Sequence, residues 1–279
     1  MNFKSLSILT TLIIDVSIIF SCNGGNMPDQ KVTFPSIKDV PVVKWEKLAQ
    51  KKIYFGHQSV GFNIIEGIKD LMKEYPEIKL DIVETTDISD IKGGVFAHSR
   101  VGKNVDPKSK IGDFVSFINN GIGKNADAAA LKFCYVDMKA DTDVNTILSV
   151  YNNSIAQLKK EYPELTIIHF TDPLTVTKTT WKTRIKKLLG KKDIWEYDDN
   201  IKRNEYNEML INRYDGKEPI FDIAKIESTH PDGTRYSFNK DGKTYYSLVP
   251  EYTRDGGHLN ETGRKKVAEQ LLILLANIS

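Results

Sequence analysis

The stretch KKIYFGHQSVGFNIIEGI, Lys51 to Ile68, decides how the chain is read. A short apolar strand, Ile53–Phe55, stops at Gly56. His57, Gln58 and Ser59 follow, and then Val60, Ile64, Ile65, Ile68, Leu71 and Met72 recur at helical spacing. A strand that passes so sharply into a helix exposes the residues of the turn. Ser59 therefore has two readings. It is either an N-cap that only terminates the helix, or a nucleophile at a helix N-terminus, where backbone N–H groups and the helix dipole favour developing negative charge. The G-x-S-x-G elbow does not match, because it would need glycine where His57 stands.

Outward from this turn, strands and helices alternate. KLDIVET from Lys79 reads as a second strand, and KIGDFVSFINNGI from Lys110 as a short amphipathic helix. DAAALKFCYVDM from Asp127 is apolar on both faces, as a central strand would be. VNTILSVYNNSIAQLKKEY is a long helix, LTIIHF from Leu165 a buried strand, NIKRNEYNEMLINRY a helix and PIFDIA from Pro219 a strand. A last helix runs from Asn260 to about Ile278. This order predicts an α/β fold, a three-layer α/β/α sandwich around a mainly parallel sheet. In such sheets ligands bind beyond the carboxyl ends of the strands, which is where the Gly56–Ser59 turn falls. Two segments interrupt the alternation: a basic stretch, residues 176–200, carrying Trp181 and Trp195, and RYSFNKDGKTYYSL from Arg235, a hairpin turning at Asp241-Gly242. The basic stretch is expected to be a solvated helix with lysine stems over apolar surface.

The chain has 279 residues, 40% of them hydrophobic and 27% charged, with a net charge of +2. These values fit a globular protein and supply no strong field for nucleic acid. Lys4 followed by the apolar run Leu6–Phe20 has the pattern of a secretory signal, residues 1–21. The run ends in Ile19-Phe20-Ser21-Cys22, which resembles a bacterial lipobox. The expectation is cleavage before Cys22, a lipid on its thiol, a tether to residue 45, and a domain over 46–279 held at the cell envelope by that anchor. Cys134, the other cysteine, sits between Phe133 and Tyr135 and reads as a small buried hydrophobe. No H-x-x-x-H or C-x-x-C spacing is present, so neither metal nor cofactor is expected. Oligomeric state is not legible.

The second decisive motif is YTRDGGHLNETG, just before the last helix. Asp255 and His258 are three apart, and the glycines between them let the chain fold tightly. The carboxylate can then hold the imidazole's tautomer, which makes a general base; alternatively Asp255 caps a turn and His258 is an exposed loop residue. Ser59 follows the first strand and Asp255–His258 the last, so all three can meet at one sheet edge as a triad.

On these residues the chain resembles the SGNH (GDSL-type) hydrolase superfamily of esterases and lipases, over about residues 50–278. That family places its serine after the first strand and a D-x-x-H motif near the C-terminus. The resemblance implies Ser59 as nucleophile, His258 as base and Asp255 as its orienting carboxylate. It also implies an oxyanion hole with a glycine N–H, for which Gly102 is the match, and an asparagine after the third strand. There the chain has Asp137, and an ionised carboxylate would repel an oxyanion. Three arrangements stay open: a protonated Asp137, a donor supplied by Asn104, or one contact missing. His57, beside Ser59, is a candidate substrate contact. The implied substrate is an ester, with O-acetyl groups on a glycan as the specific expectation. The other reading is a non-catalytic carbohydrate-binding lipoprotein using Trp181, Trp195 and Tyr245-Tyr246 as stacking surfaces.

Overall fold

A computed structural model describes residues 31–177 and 195–278. The expected signal, Cys22, the first part of the tether and Trp181 lie outside the described residues, as does the side chain of Trp195. In chain order the main elements are α1 (Val42–Leu48), β1 (Lys52–His57), α2 (Val60–Glu74), β2 (Ile82–Glu84), β3 (Val95–Arg100), α3 (Pro107–Phe117), β4 (Ala128–Leu131), α4 (Val144–Glu161), β5 (Thr166–Phe170), α5 (Trp195–Tyr214), β6 (Ile220–Phe221), α6 (Ile223–Glu227), β7 (Ser237–Lys240), β8 (Lys243–Tyr246) and α7 (Glu261–Ile278).

The sheet has six strands in the order β2-β3-β1-β4-β5-β6, every neighbouring pair parallel. Without the edge strand β2, the order is that of the flavodoxin-like doubly wound fold. Side chains alternate across it. Ile53, Phe55, Phe96, Ala130, Ile168 and Phe170 join a core beneath α1, α2, α6 and α7. Tyr54, Val95, Ala97, Ala129, Leu131 and Ile167 join a second core beneath α3, α4 and α5. The three layers follow from strands buried on both faces. Chain order reverses direction across the sheet at β1, so the crevice at its carboxyl end is the place this topology reserves for a ligand.

Three expectations change. β3 was absent from the sequence reading; its tail is polar, but His98 and Ser99 are buried with partners on β1, His57 and Tyr54. The strand expected over Asp127–Met138 ends at Leu131, and Cys134–Asp137 forms a turn closed by the Asp137 N–H on the Cys134 carbonyl at 2.8 Å. The tether does not reach residue 45. The unit begins at Lys31, and Ile37, Trp45 and Leu48 are buried in the core that α7 completes. The hairpin forms as expected, β7 pairing antiparallel with β8.

Helices α2 and α7 lie against each other without side-chain padding at one point. A Cβ on Gly67 would come within 2.4 Å of the Arg264 carbonyl oxygen. Nearby, the Arg264 guanidinium donates to Asp70 Oδ2 at 2.6 and 2.8 Å. Backbone cannot retreat from a new methyl as a flexible side chain can. Gly67→Ala is therefore expected to lower stability by about 1–3 kcal/mol, read by urea denaturation.

Candidate active site

β1 delivers Gly56 and His57 to the carboxyl edge, and the chain then reverses at Ser59 with φ 45° and ψ −103°. That conformation is costly for a residue with a Cβ and persists only where the surroundings impose it. Ser59 begins α2 without capping it, since its side chain makes no cap hydrogen bond. Its Oγ instead lies 2.5 Å from His258 Nε2. The other ring nitrogen, Nδ1, is 2.6 Å from Asp255 Oδ2. Ser59, His258 and Asp255, expected together from sequence, are thus one continuous hydrogen-bonded chain.

Asp255 is anchored as well as anchoring. Its Oδ1 accepts from the N–H groups of Gly257 at 3.0 Å and His258 at 2.8 Å and from Thr253 Oγ1 at 3.2 Å. Partial burial alone would raise its pKa, but those donors and the His258 ring outweigh it and draw it down to about 2. The carboxylate is therefore ionised at any pH near neutrality, as an orienting group for an imidazole must be.

Three residues missed in the sequence hold this geometry. Asn63, one helical turn beyond Ser59, accepts the Leu259 N–H on Oδ1 at 3.2 Å, tying the serine's helix to the histidine's loop. A polar residue on an otherwise apolar helix stretch at that spacing was the available signal. Tyr135 sets its ring edge-on to the imidazole, centroids 5.6 Å apart, with its hydroxyl 3.5 Å from Nδ1. Its carbonyl accepts from Arg203 Nε at 2.7 Å. Fully buried Arg203 also donates to Thr175 Oγ1 and Asn200 Oδ1 at 2.8 and 2.7 Å. The next residue, Val176, donates its N–H to the Gly256 carbonyl at 2.9 Å. The loops after β4 and β5 and the Asp255–His258 loop are thereby cross-braced. Nothing in the local sequence around Tyr135 or Arg203 signals this.

The remaining predicted residues fall elsewhere than expected. His57 is not a substrate contact: its ring is fully buried, stacked on Phe55 at 4.8 Å and bonded to His98 Nδ1 at 3.1 Å. Desolvation, aided by Lys132, lowers its pKa to about 2 and keeps it neutral. Gly102 does stand beside the serine turn, where Gln58 Nε2 donates to its carbonyl at 2.9 Å. Its own N–H, however, is taken by Asp113 Oδ2 at 2.7 Å and is not available to an oxyanion. It is glycine because φ is +50° and a Cβ would meet the Lys110 nitrogen at 2.4 Å.

Asp137 is buried and does not serve the hole. Its Oδ2 meets Lys110 Nζ at 2.5 Å, both side chains fully enclosed, and accepts the Cys134 N–H at 2.7 Å. Its Oδ1 accepts the Val105 N–H at 2.9 Å. Val105 is held there at φ 68°, a conformation β-branched residues rarely adopt. Lys110 also donates to Asn104 Oδ1 at 3.0 Å, which fixes that exposed amide and turns its Nδ2 away from the lysine. Of the proposed donors, Asn104 Nδ2 and the Ser59 N–H carry no acceptor among the described residues. Cys134 is a buried free thiol. Tyr245 stacks on Phe238 at 5.6 Å and the Arg235 guanidinium covers Tyr246 at 3.5 Å, while both tyrosines also line a cavity of about 250 Å³. Among the described residues no group of three or more His, Cys, Asp or Glu could hold a metal ion.

No family model and no curated protein matches the chain. It is similar to several solved structures. A carbohydrate esterase family 3 enzyme from Talaromyces cellulolyticus shares 12% identity over 82% of this chain and 98% of that one, TM-score 0.45. A Clostridium thermocellum family 3 carbohydrate esterase shares 16% over 82% and 99%, TM-score 0.39. The periplasmic domain of a Salmonella ser. Paratyphi A lipopolysaccharide acetyltransferase shares 14% over 80% and 82%, TM-score 0.44.

Asp137→Asn, which would restore the asparagine that the SGNH resemblance implies, leaves Lys110 buried without its counter-charge. Removing one partner of a buried pair costs about 3–5 kcal/mol. Urea denaturation is expected to show a loss of that size, with the double replacement Lys110→Met/Asp137→Asn, which removes the buried charge and keeps an amide oxygen as acceptor, recovering part of it. An Asp137→Asn protein as stable as the parent would contradict the ion-pair account.

Proposed function

We propose that the protein is a serine esterase of SGNH type. The observation that carries this is the chain of contacts from Ser59 Oγ through the His258 ring to Asp255, on a serine whose backbone is strained to present it. His258 Nε2 takes the Ser59 proton as Oγ attacks an ester carbonyl. Asp255 fixes the Nδ1–H tautomer and stabilises the imidazolium that forms. The oxyanion is met by the Ser59 N–H and by Asn104 Nδ2. As the tetrahedral intermediate collapses, His258 returns the proton to the departing alcohol. Water, deprotonated by the same nitrogen, then attacks the acyl-enzyme and releases the acid with Ser59 regenerated.

The finer reading has the domain tethered through lipidated Cys22 to a bacterial cell envelope, acting on O-acetyl groups of carbohydrate. It rests on the lipobox-like sequence and on the expectation that an exported enzyme meets polymers. The other reading, a non-catalytic carbohydrate-binding lipoprotein, draws on Asp137 and on Trp181, Trp195 and the Tyr245-Tyr246 pair as stacking surfaces. Asp137 is enclosed against Lys110, one face of each tyrosine carries Phe238 or Arg235, and the two tryptophan side chains lie outside the described residues.

The test is hydrolysis of p-nitrophenyl acetate by the purified protein and two variants. Ser59→Ala is expected to keep only the small residual rate that binding and the oxyanion donors support without a nucleophile, and Asp255→Asn to fall by roughly four orders of magnitude in kcat, as loss of the orienting carboxylate does in serine proteases. Equal rates for Ser59→Ala and the parent would remove the esterase reading.

A further inference from the structure

The cavity beside His258 is lined by two arginines, one of them without a carboxylate partner among the described residues, and by two carboxylates. It measures about 340 Å³, and its lining includes Arg254, Asp255, His258, Asn260, Glu261 and Arg264. Each charged group but one has a partner. Asp255 is committed to His258. Glu261 pairs with Lys265 at 3.0 Å. Arg264 pairs with Asp70 at 2.6 Å. Arg254 is exposed and meets no carboxylate among the described residues. Arg254 and His258, whose imidazole touches Ser59, both line this cavity.

Two further cations stand near the serine turn. Arg100 ends β3, in register with His57 at the end of β1. Its guanidinium lies over the Phe62 ring, 4.9 Å from the centroid, and the Phe62 N–H bonds back to the Ser59 carbonyl at 2.9 Å. Lys103 extends from the Gly102–Asp106 turn that Gln58 tethers to the serine. Neither has a carboxylate partner among the described residues. Asp113 accepts the Gly102 N–H and Asp106 the Ser109 N–H in the first turn of α3.

Cations left unpaired around a nucleophile raise the local concentration of anions and pay no cost to release an internal partner when one binds. We infer that the natural substrate is an anionic ester, carrying a carboxylate close to the scissile bond that Arg254 engages, with Arg100 and Lys103 extending the positive rim. This inference rests on the esterase reading above and narrows its substrate class. An acetylated polymer containing acidic sugars has this chemistry, whereas a neutral acetylated glycan does not.

The experiment compares three chromogenic esters with similar phenolate leaving groups. They are neutral 4-nitrophenyl acetate, 5-acetoxy-2-nitrobenzoate with its carboxylate on the alcohol side, and mono-4-nitrophenyl succinate with its carboxylate on the acyl side. For each, kcat/KM is measured with the purified full-length protein and with Arg254→Gln, at low and high sodium chloride. The readout is the ratio of each anionic ester to the neutral one, which cancels any general effect of the substitution on the triad. For at least one anionic ester the ratio is expected to drop about tenfold in Arg254→Gln, the size of a charge-assisted hydrogen bond. The parent ratio should also shrink as salt rises. Ratios unchanged by Arg254→Gln and by salt would overturn the inference while leaving the esterase intact. Failure of the parent protein to turn over all three esters would overturn the esterase reading, and this inference with it.

Discussion

The close approach of α2 to α7 is the constraint on which the site depends. Ser59 and His258 are 199 residues apart in the chain, and no local preference brings them together. Gly67 lets the helix backbones touch, Arg264 clamps Asp70 across the seam, and Asn63 holds the Leu259 N–H one residue past the histidine. Each contact belongs to the core packing as much as to the site. A serine at one helix's N-terminus and a histidine just before the other are then positioned by rigid elements, and only the short Asp255–His258 loop remains to be fixed. Asp255 fixes it by gathering two backbone N–H groups before it meets the imidazole.

The other side of the serine is organised around the buried Lys110–Asp137 pair. Where the family resemblance implies an asparagine facing the oxyanion, this chain has a carboxylate that faces inward. It holds the Val105 N–H and, through Lys110, the Asn104 amide. Lys110 and Asp137 thus form an ionic bracket that shapes the 102–106 loop. The buried carboxylate is tolerable because its charge is compensated at 2.5 Å and its oxygens also accept two backbone N–H groups.

Much of this was legible in the sequence. The alternation of strands and helices specified a parallel sheet, and the sharp turn at Ser59 with the D-x-x-H spacing specified which residues would meet. What escaped depended on contacts made at long range. β3 carries His98 and Ser99 in its buried half, and polar residues read as loop unless their partners on β1 are known. α1 follows a proline and is ordered because Trp45 finds the core, not because its own sequence demands a helix. The strand after Asp127 looked longer than it is, since Asp137 diverts the Cys134 N–H from any ladder. Gly102 was placed correctly beside the serine, but occupation of its N–H by Asp113, eleven residues on, has no local signature. His57 was misjudged by proximity: it shares a face of β1 with Phe55 and is packed into the core, whereas Ser59, two residues on, lies past the strand in a turn at φ 45°.

The central claim is that His258 activates Ser59 and that no other residue does so. A biotinylated fluorophosphonate, followed by intact-mass analysis and peptide mapping, tests it without assuming any substrate. The account predicts a single adduct, on the peptide containing Ser59, forming orders of magnitude more slowly in His258→Ala. An adduct on another residue, or labelling of Ser59 at an unchanged rate once His258 is gone, would contradict it.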